Sequence, residues 1–163
     1  MQLAQIAKIV SCVAPIDTAG VARQGARINM AKYDRVAFII SIGVTDAAVQ
    51  TITVSRASGT LVAGTAIDFH YRAATTGAPL VSVLDGVFTL TPAATGLVVT
   101  HNVDDDKVYI IEVKASELLV RADQYVGVNF SNTATVCMVS CVAVCFWPRY
   151  AADADVMPDP TAA

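Results

Sequence analysis

The longest nearly uncharged run in the chain is Ala134 to Trp147, ATVCMVSCVAVCFW, which stops at Pro148. Its Val, Thr, Phe and Trp content favours a pleated strand. A buried helix is the alternative, and the β-branched residues argue against it. At about 3.3 Å per residue such a strand exceeds ~40 Å, which predicts a bend or bulge near Ser140. Apolar residues occupy both of its alternating faces. Cover is therefore expected on both sides, from a sandwich centre or from a subunit interface. Val36 to Val44, VAFIISIGV, is a second run of this kind.

Elsewhere the alternation is cleaner. Val49 to Ala57 sets Ile52 and Val54 against Thr51, Thr53 and Ser55. Ala66 to Arg72 sets Ile67, Phe69 and Tyr71 against Asp68, His70 and Arg72, the pattern of an antiparallel sheet with one wet side. Leu3 to Val13, Val81 to Leu90, Leu97 to His101, Val108 to Lys114 and Tyr125 to Phe130 are further strands. Ala14-Pro15, Ser58-Gly59, Pro92, Gly96, the charged stretch Val103 to Lys107 and Ser131-Asn132 break the chain between them. Ala115 to Val120 reads as a short helical turn with Ser116 as its cap. Ile16 to Arg35 reads as a long connection in which Arg23, Arg27, Lys32 and Arg35 outnumber the acids. The alternative there is a strand pair through Ala26 to Met30. No amphipathic helix longer than about ten residues is visible. The fold class is therefore all-β, a single antiparallel sandwich or jelly roll over residues 1–147. Residues 148–163, rich in Pro and Asp, form an extended tail.

Composition sharpens this picture. Hydrophobic residues make up 55% of the 163 and charged residues only 15%. That surplus points to surface buried between subunits, because obligate interfaces resemble a core cut in half. No stretch reaches the ~18 continuous apolar residues of a spanning helix. An aromatic content of 7% speaks against the aromatic girdles of an outer-membrane barrel. The net charge is −3, with Asp153, Asp155 and Asp159 in the tail, and the sparse Lys and Arg leave no nucleic-acid footprint. The first residues lack a basic n-region, so no signal peptide is expected.

Candidate chemistry is thin. Cys137, Cys141 and Cys145 share one side of a strand but lie ~13 Å apart for each four residues, too far for one tetrahedral metal. They are expected to be buried thiols acting as small hydrophobes, and any disulfide would need Cys12. His70, Asp68 and a serine make a triad only on paper, since no nucleophile-elbow pattern accompanies them. Asp104, Asp105 and Asp106 lack the spacing of a calcium loop and read as a solvated hairpin tip. Glu112 shares a strand with Lys114, which suggests a cross-strand ion pair. No catalytic residue, metal, cofactor or small-molecule substrate is expected, and the chain does not read as an enzyme.

Several segments carry a resemblance. They are APIDTAG (Ala14–Gly20), YDRVAFII (Tyr33–Ile40), TITVSRASG (Thr51–Gly59), AIDFHYR (Ala66–Arg72) and WPRYAAD (Trp147–Asp153). Together, from Ala14 to Asp155, they resemble small tailed-bacteriophage virion proteins of the head gene cluster, described as capsid decoration (cement) or other structural proteins. The motifs are strand and turn patterns without chemistry. The resemblance implies a protein made in the bacterial cytoplasm and carried on the phage head. It implies a homotrimer that binds the major capsid protein and cross-links capsomers, with no nucleic acid or membrane as partner. A head fibre, a tail component or a carbohydrate-binding jelly roll are the alternatives. The candidate interface residues are Arg23 and Arg27 in the long connection, and Trp147, Pro148, Arg149 and Tyr150 at the root of the tail.

Overall fold

The computed structural model describes residues 7–46, 49–60, 64–73, 87–100, 104–118 and 123–148. Its strands are β1 (Ala7–Asp17), β2 (Arg23–Gln24), β3 (Ile28–Asn29), β4 (Tyr33–Thr45), β5 (Val49–Ala57) and β6 (Thr65–Ile67). They continue with β7 (Phe69–Ala73), β8 (Thr89–Thr91), β9 (Leu97–Thr100), β10 (Val108–Lys114), β11 (Tyr125–Phe130) and β12 (Cys137–Pro148). Sheet I has the order β1-β12-β4-β10-β7-β8. Sheet II has the order β2-β11-β5-β6, with β3 also on β11 and β9 also on β5. The pairings of these strands are antiparallel.

The pairing is nested. The first strand lies on the last, β1 on β12; β2 and β3, two pieces of one broken strand, lie on β11; β4 lies on β10; β5 lies on β6 and β9. This is a long antiparallel hairpin rolled up on itself, which makes the all-β sandwich a jelly roll. Alternation supplies the core. Val36, Phe38, Ile40 and Ile42 of β4, Val139, Cys141 and Ala143 of β12, and Tyr109 and Ile111 of β10 point inward from sheet I. Ile52 and Val54 of β5, Val126, Val128 and Phe130 of β11, and Leu97 and Val99 of β9 meet them from sheet II.

One end of the sandwich is closed by polar groups. Thr18 donates to Gln50 Oε1 at 2.8 Å, and Gln50 Nε2 donates to the Ser131 carbonyl at 2.8 Å. Thr18 also lies 3.1 Å from the Thr133 hydroxyl. All three of Thr18, Gln50 and Thr133 are buried, and their mutual bonds offset the desolvation that burial imposes.

The structure departs from the sequence reading at several points. β1 does not stop at Ala14-Pro15 but runs to Asp17, with two register shifts against β12. Proline is tolerated there because β1 is the edge of sheet I and the shift removes the need for its N–H. The irregularity in the long run lies between Cys137 and Val139, ahead of Ser140, where Gly43 and Val44 of β4 oppose Met138. Gly43 permits the close approach, since a Cβ there would lie 3.1 Å from Met138 Cβ. Residues 66–72 are two strands rather than one. β6 belongs to sheet II and β7 to sheet I, and the chain crosses at Asp68, whose carboxylate accepts the Ala93 N–H at 2.7 Å. Residues 16–35 are not one long connection but hold the end of β1, the short strands β2 and β3 and the start of β4; β3 lies within Ala26 to Met30, and it and β2 pair with β11, not with each other. The turn at Ala115–Glu117 is a single 3₁₀ turn. Lys114 precedes it and donates its N–H to the Glu117 carboxylate at 3.0 Å, while Ser116 sits inside the turn. The cross-strand ion pair of Glu112 is present, with Arg35 across β10 and β4 at 3.2 Å. The ends of the predicted strands at Leu3 to Ile6, at Val81 to Gly86 and at His101 lie outside the described residues.

Candidate functional site

The outward faces of the two sheets differ in kind. On sheet I, strand register builds continuous rows across the strands. Ile9 opposes Val144, which opposes Ala37. In the next row Val142 opposes Ile39, which opposes Ile110. Ile9 is 52% exposed, Met138 38% and Ile39 37%. The expected cover on both sides of β12 is thus half present in one subunit. Cys137, Val139, Cys141, Ala143 and Cys145 are buried in the core, while Met138 is exposed and Ser140, Val142 and Phe146 are half-buried on the outside. Charges of both signs border the patch. Arg35 and Glu112 form their ion pair there, and Arg35 also stacks over the Trp147 ring at 5.0 Å. Trp147 is 59% exposed and has φ +52°, a left-handed conformation that an aromatic residue adopts only under constraint.

On sheet II the outward face is polar and buried around Arg27 and Ser55, while Val49 and Val98 are exposed on the part of it that β9 borders. Asn29 donates to Tyr125 Oη at 3.2 Å, and Asn129 Nδ2 donates to Ser55 Oγ at 2.9 Å. Arg27, Ser55, Asn29 and Tyr125 are all buried.

The candidate interface residues are therefore split. Arg23 sits half-buried in β2 and Arg27 is fully buried beside β3, both on sheet II. Trp147 and Pro148 end β12 on sheet I, with Pro148 opposite Tyr33. Arg149 and Tyr150 lie outside the described residues. Sequence reasoning missed Ile9, Ile39, Met138 and Val142 as interface candidates. Their signal was present, because VAFIISIGV and the long run carry apolar residues in both phases of a strand whose core needs only one.

Cys137, Cys141 and Cys145 are buried, and Cys12 is half-buried. Burial raises the Cys137 thiol, and burial pushes Cys145 up to about 12. A hydrogen bond with Cys12 raises Cys141 and lowers Cys12. Protonated, buried thiols are poor nucleophiles and poor metal ligands. Among the described residues no group of three His, Cys, Asp or Glu is placed to hold a metal ion. A groove of about 440 Å³ lies beside His70, lined by Arg56, Ile67, Asp68, Leu90 and Glu117. Asp68 serves the chain crossing in it through the Ala93 N–H. No helix among the described residues is long and apolar enough to cross a membrane.

No protein-family model matches the chain, and no curated protein matches it. Two solved viral structures are similar to it at a low level. One is the structure of the infectious bursal disease virus Gx strain, at 8% identity and a TM-score of 0.28 over 89% of this chain and 41% of that one. The other is the infectious bursal disease virus VP2 subviral particle, at 12% identity and a TM-score of 0.27 over 89% and 42%. The chain spans about two fifths of the length of these neighbours. At such scores the likeness carries no argument, and what the chain does is argued from its own surfaces.

Proposed function

We propose that the chain is a virion structural protein of the decoration (cement) type, which self-associates and bridges major capsid protein subunits on a tailed-phage head. The observation that carries this reading is the apolar outward face of sheet I. Exposed apolar residues gathered on one face mark an interaction site, and here Ile9, Ile39 and Met138 are exposed around half-buried Val142 and Ile110. Its occupant in this reading is a second copy of the chain, within a homotrimer. The mixed charges of Arg35, Lys114 and Glu112 at the margin suit a self-complementary contact, and the apolar surplus of the composition needs such a place. The jelly roll supports the reading by analogy, since that fold serves viral capsid proteins among others. The segments quoted from Ala14 to Asp155 support it through the resemblance they carry. In this account the chain has no reaction to catalyse, and its work is mechanical. A rigid body held by several capsid subunits at once makes their separation break several weak contacts together, so avidity replaces affinity.

Co-sedimentation of the purified protein with heads of the phage that encodes it tests the proposal. Saturable occupancy and heads that withstand higher temperature are expected, with both weakened on deletion of Pro148 to Ala163. Heads that neither bind the protein nor change in heat resistance would contradict it.

A further inference from the structure

Among the described residues, Arg27 is a buried cation with no acid paired to it. Its side chain crosses sheet II along the row Gly127–Ser55–Ala66. The stem runs over Gly127, where an added Cβ would lie 3.0 Å from Arg27 Cγ. The tip lies under Gly64, where an added Cβ would lie 2.8 Å from Nη1 and 2.7 Å from Ser55 Oγ. Two glycines thus make a slot that leaves Arg27 only 5% exposed. Among the described residues neither Nη1 nor Nη2 has a hydrogen-bond partner. Burial alone shifts the group, downward, with no carboxylate acting against it. The contrast with other arginines is sharp: Arg35 has Glu112 at 3.2 Å and Arg56 has Asp123 at 3.7 Å. A guanidinium cannot shed its proton near neutral pH, so this burial is costly until an anion arrives.

Ser55 completes the arrangement. Its oxygen accepts the Asn129 amide, which leaves its own hydrogen free to donate. That hydroxyl and Nη1 crowd the same point beside Gly64, so the two donors lie side by side. We propose that the Arg27 slot is a receptor for an oxyanion, a carboxylate or a phosphate, held by the Arg27 fork and the Ser55 hydroxyl. A planar fork with a third donor is the arrangement that binds such groups most strongly. The oxyanion comes either from free phosphate or from acidic side chains of the assembly, for which Asp153, Asp155 and Asp159 of a copy of this chain are the candidates. Only the second source rests on the proposed assembly role.

The test uses the full chain, ¹⁵N-labelled, in phosphate-free buffer. The Arg27 Nε–Hε signal, identified by its loss in Arg27→Lys, and the thermal midpoint are followed in two arms. One arm titrates inorganic phosphate into the wild-type protein. The other compares the wild type with the full-length variant carrying Asp153→Asn, Asp155→Asn and Asp159→Asn, with no anion added. A saturable shift of the Arg27 signal, with a midpoint that climbs with phosphate, identifies a free-anion site. A shift between wild type and the Asn variant identifies the acidic tail. Either result supports the receptor. Arg27→Met abolishes both responses and has a midpoint at least equal to that of the wild type without anion, because it removes an unpaired charge. Arg27→Lys, which keeps the charge without the fork, binds about tenfold more weakly. No response in either arm, or the same response in Arg27→Met, overturns the inference. A protein that binds phosphate at Arg27 yet ignores phage heads would remove the assembly reading and keep the site.

Discussion

The outward face of sheet I carries exposed apolar residues at its centre, whereas the outward face of sheet II carries a buried polar patch around Arg27 and Ser55 beside exposed Val49 and Val98. The apolar centre of the one and the buried polar patch of the other each lack a partner. Ile9, Ile39 and Met138 are oily groups awaiting cover. Arg27 is a buried charge whose Nη1 and Nη2 have no hydrogen-bond partner among the described residues. Inside the sandwich, by contrast, the Thr18–Gln50–Thr133 network is polar, buried and paired. The difference teaches that burial of a polar group reads as structure where its bonds are complete, and as a docking feature where they are not.

The largest expected effect separates the paired network from the unpaired arginine. Gln50→Ala strands the Ser131 carbonyl, worth roughly 1–3 kcal/mol when left unpaired, and empties the buried space of the glutamine side chain, while the Thr18 hydroxyl keeps the Cys137 carbonyl and the Thr133 hydroxyl as partners. Urea denaturation should therefore show a loss of about 3 kcal/mol. A loss below about 1 kcal/mol would mean that the network does not hold that end of the sandwich. Next comes the open face. Ile39→Lys should leave the fold intact by near-UV circular dichroism while weakening self-association by about 2 kcal/mol, roughly thirtyfold.

A smaller effect concerns the strand end that carries the open face. Asp17 Oδ1 accepts the Cys137 N–H at 3.0 Å and the Ala19 N–H at 2.9 Å. These backbone bonds, that of Cys137 foremost, hold its carboxyl below the ordinary carboxylate range. The folded value is depressed, so its contribution is complete above the unfolded value near ~3.9 and is lost as pH falls through the folded one. Acid unfolding followed by circular dichroism should have a steeper limb below about pH 4 in the wild type than in Asp17→Asn. The smallest effect belongs to the margin. Arg35 and Glu112 are each about a third exposed, so Glu112→Gln should cost under about 1 kcal/mol in chemical denaturation, and less at high salt.

Much of the fold was legible because period-2 alternation is a local property. The core phases of β5, β10 and β11 follow directly from residues such as Ile52, Ile111 and Val128. The crossing at Asp68 was not legible, because the alternation of Ile67, Phe69 and Tyr71 continues through it while the chain changes sheets. β2 and β3 are two residues each, too short to show a period, and pairing with β11 alone defines them. The candidate site was legible in part. The surplus of Val and Ile announced an uncovered face, but the register that aligns Ile9, Val142 and Ile39 on it comes from non-local pairing. Arg27 stood out as a base in a basic stretch. Its burial did not, because Gly64 and Gly127 are distant from it in sequence and meet it only in the sheet.

Sedimentation equilibrium of the wild-type chain across a concentration series decides whether the sheet I face joins copies of the chain. The expected mass is a multiple of 17.1 kDa, a trimer in the decoration reading, which falls toward a single subunit in Ile39→Lys. A wild-type protein that stays at 17.1 kDa at every concentration would contradict it.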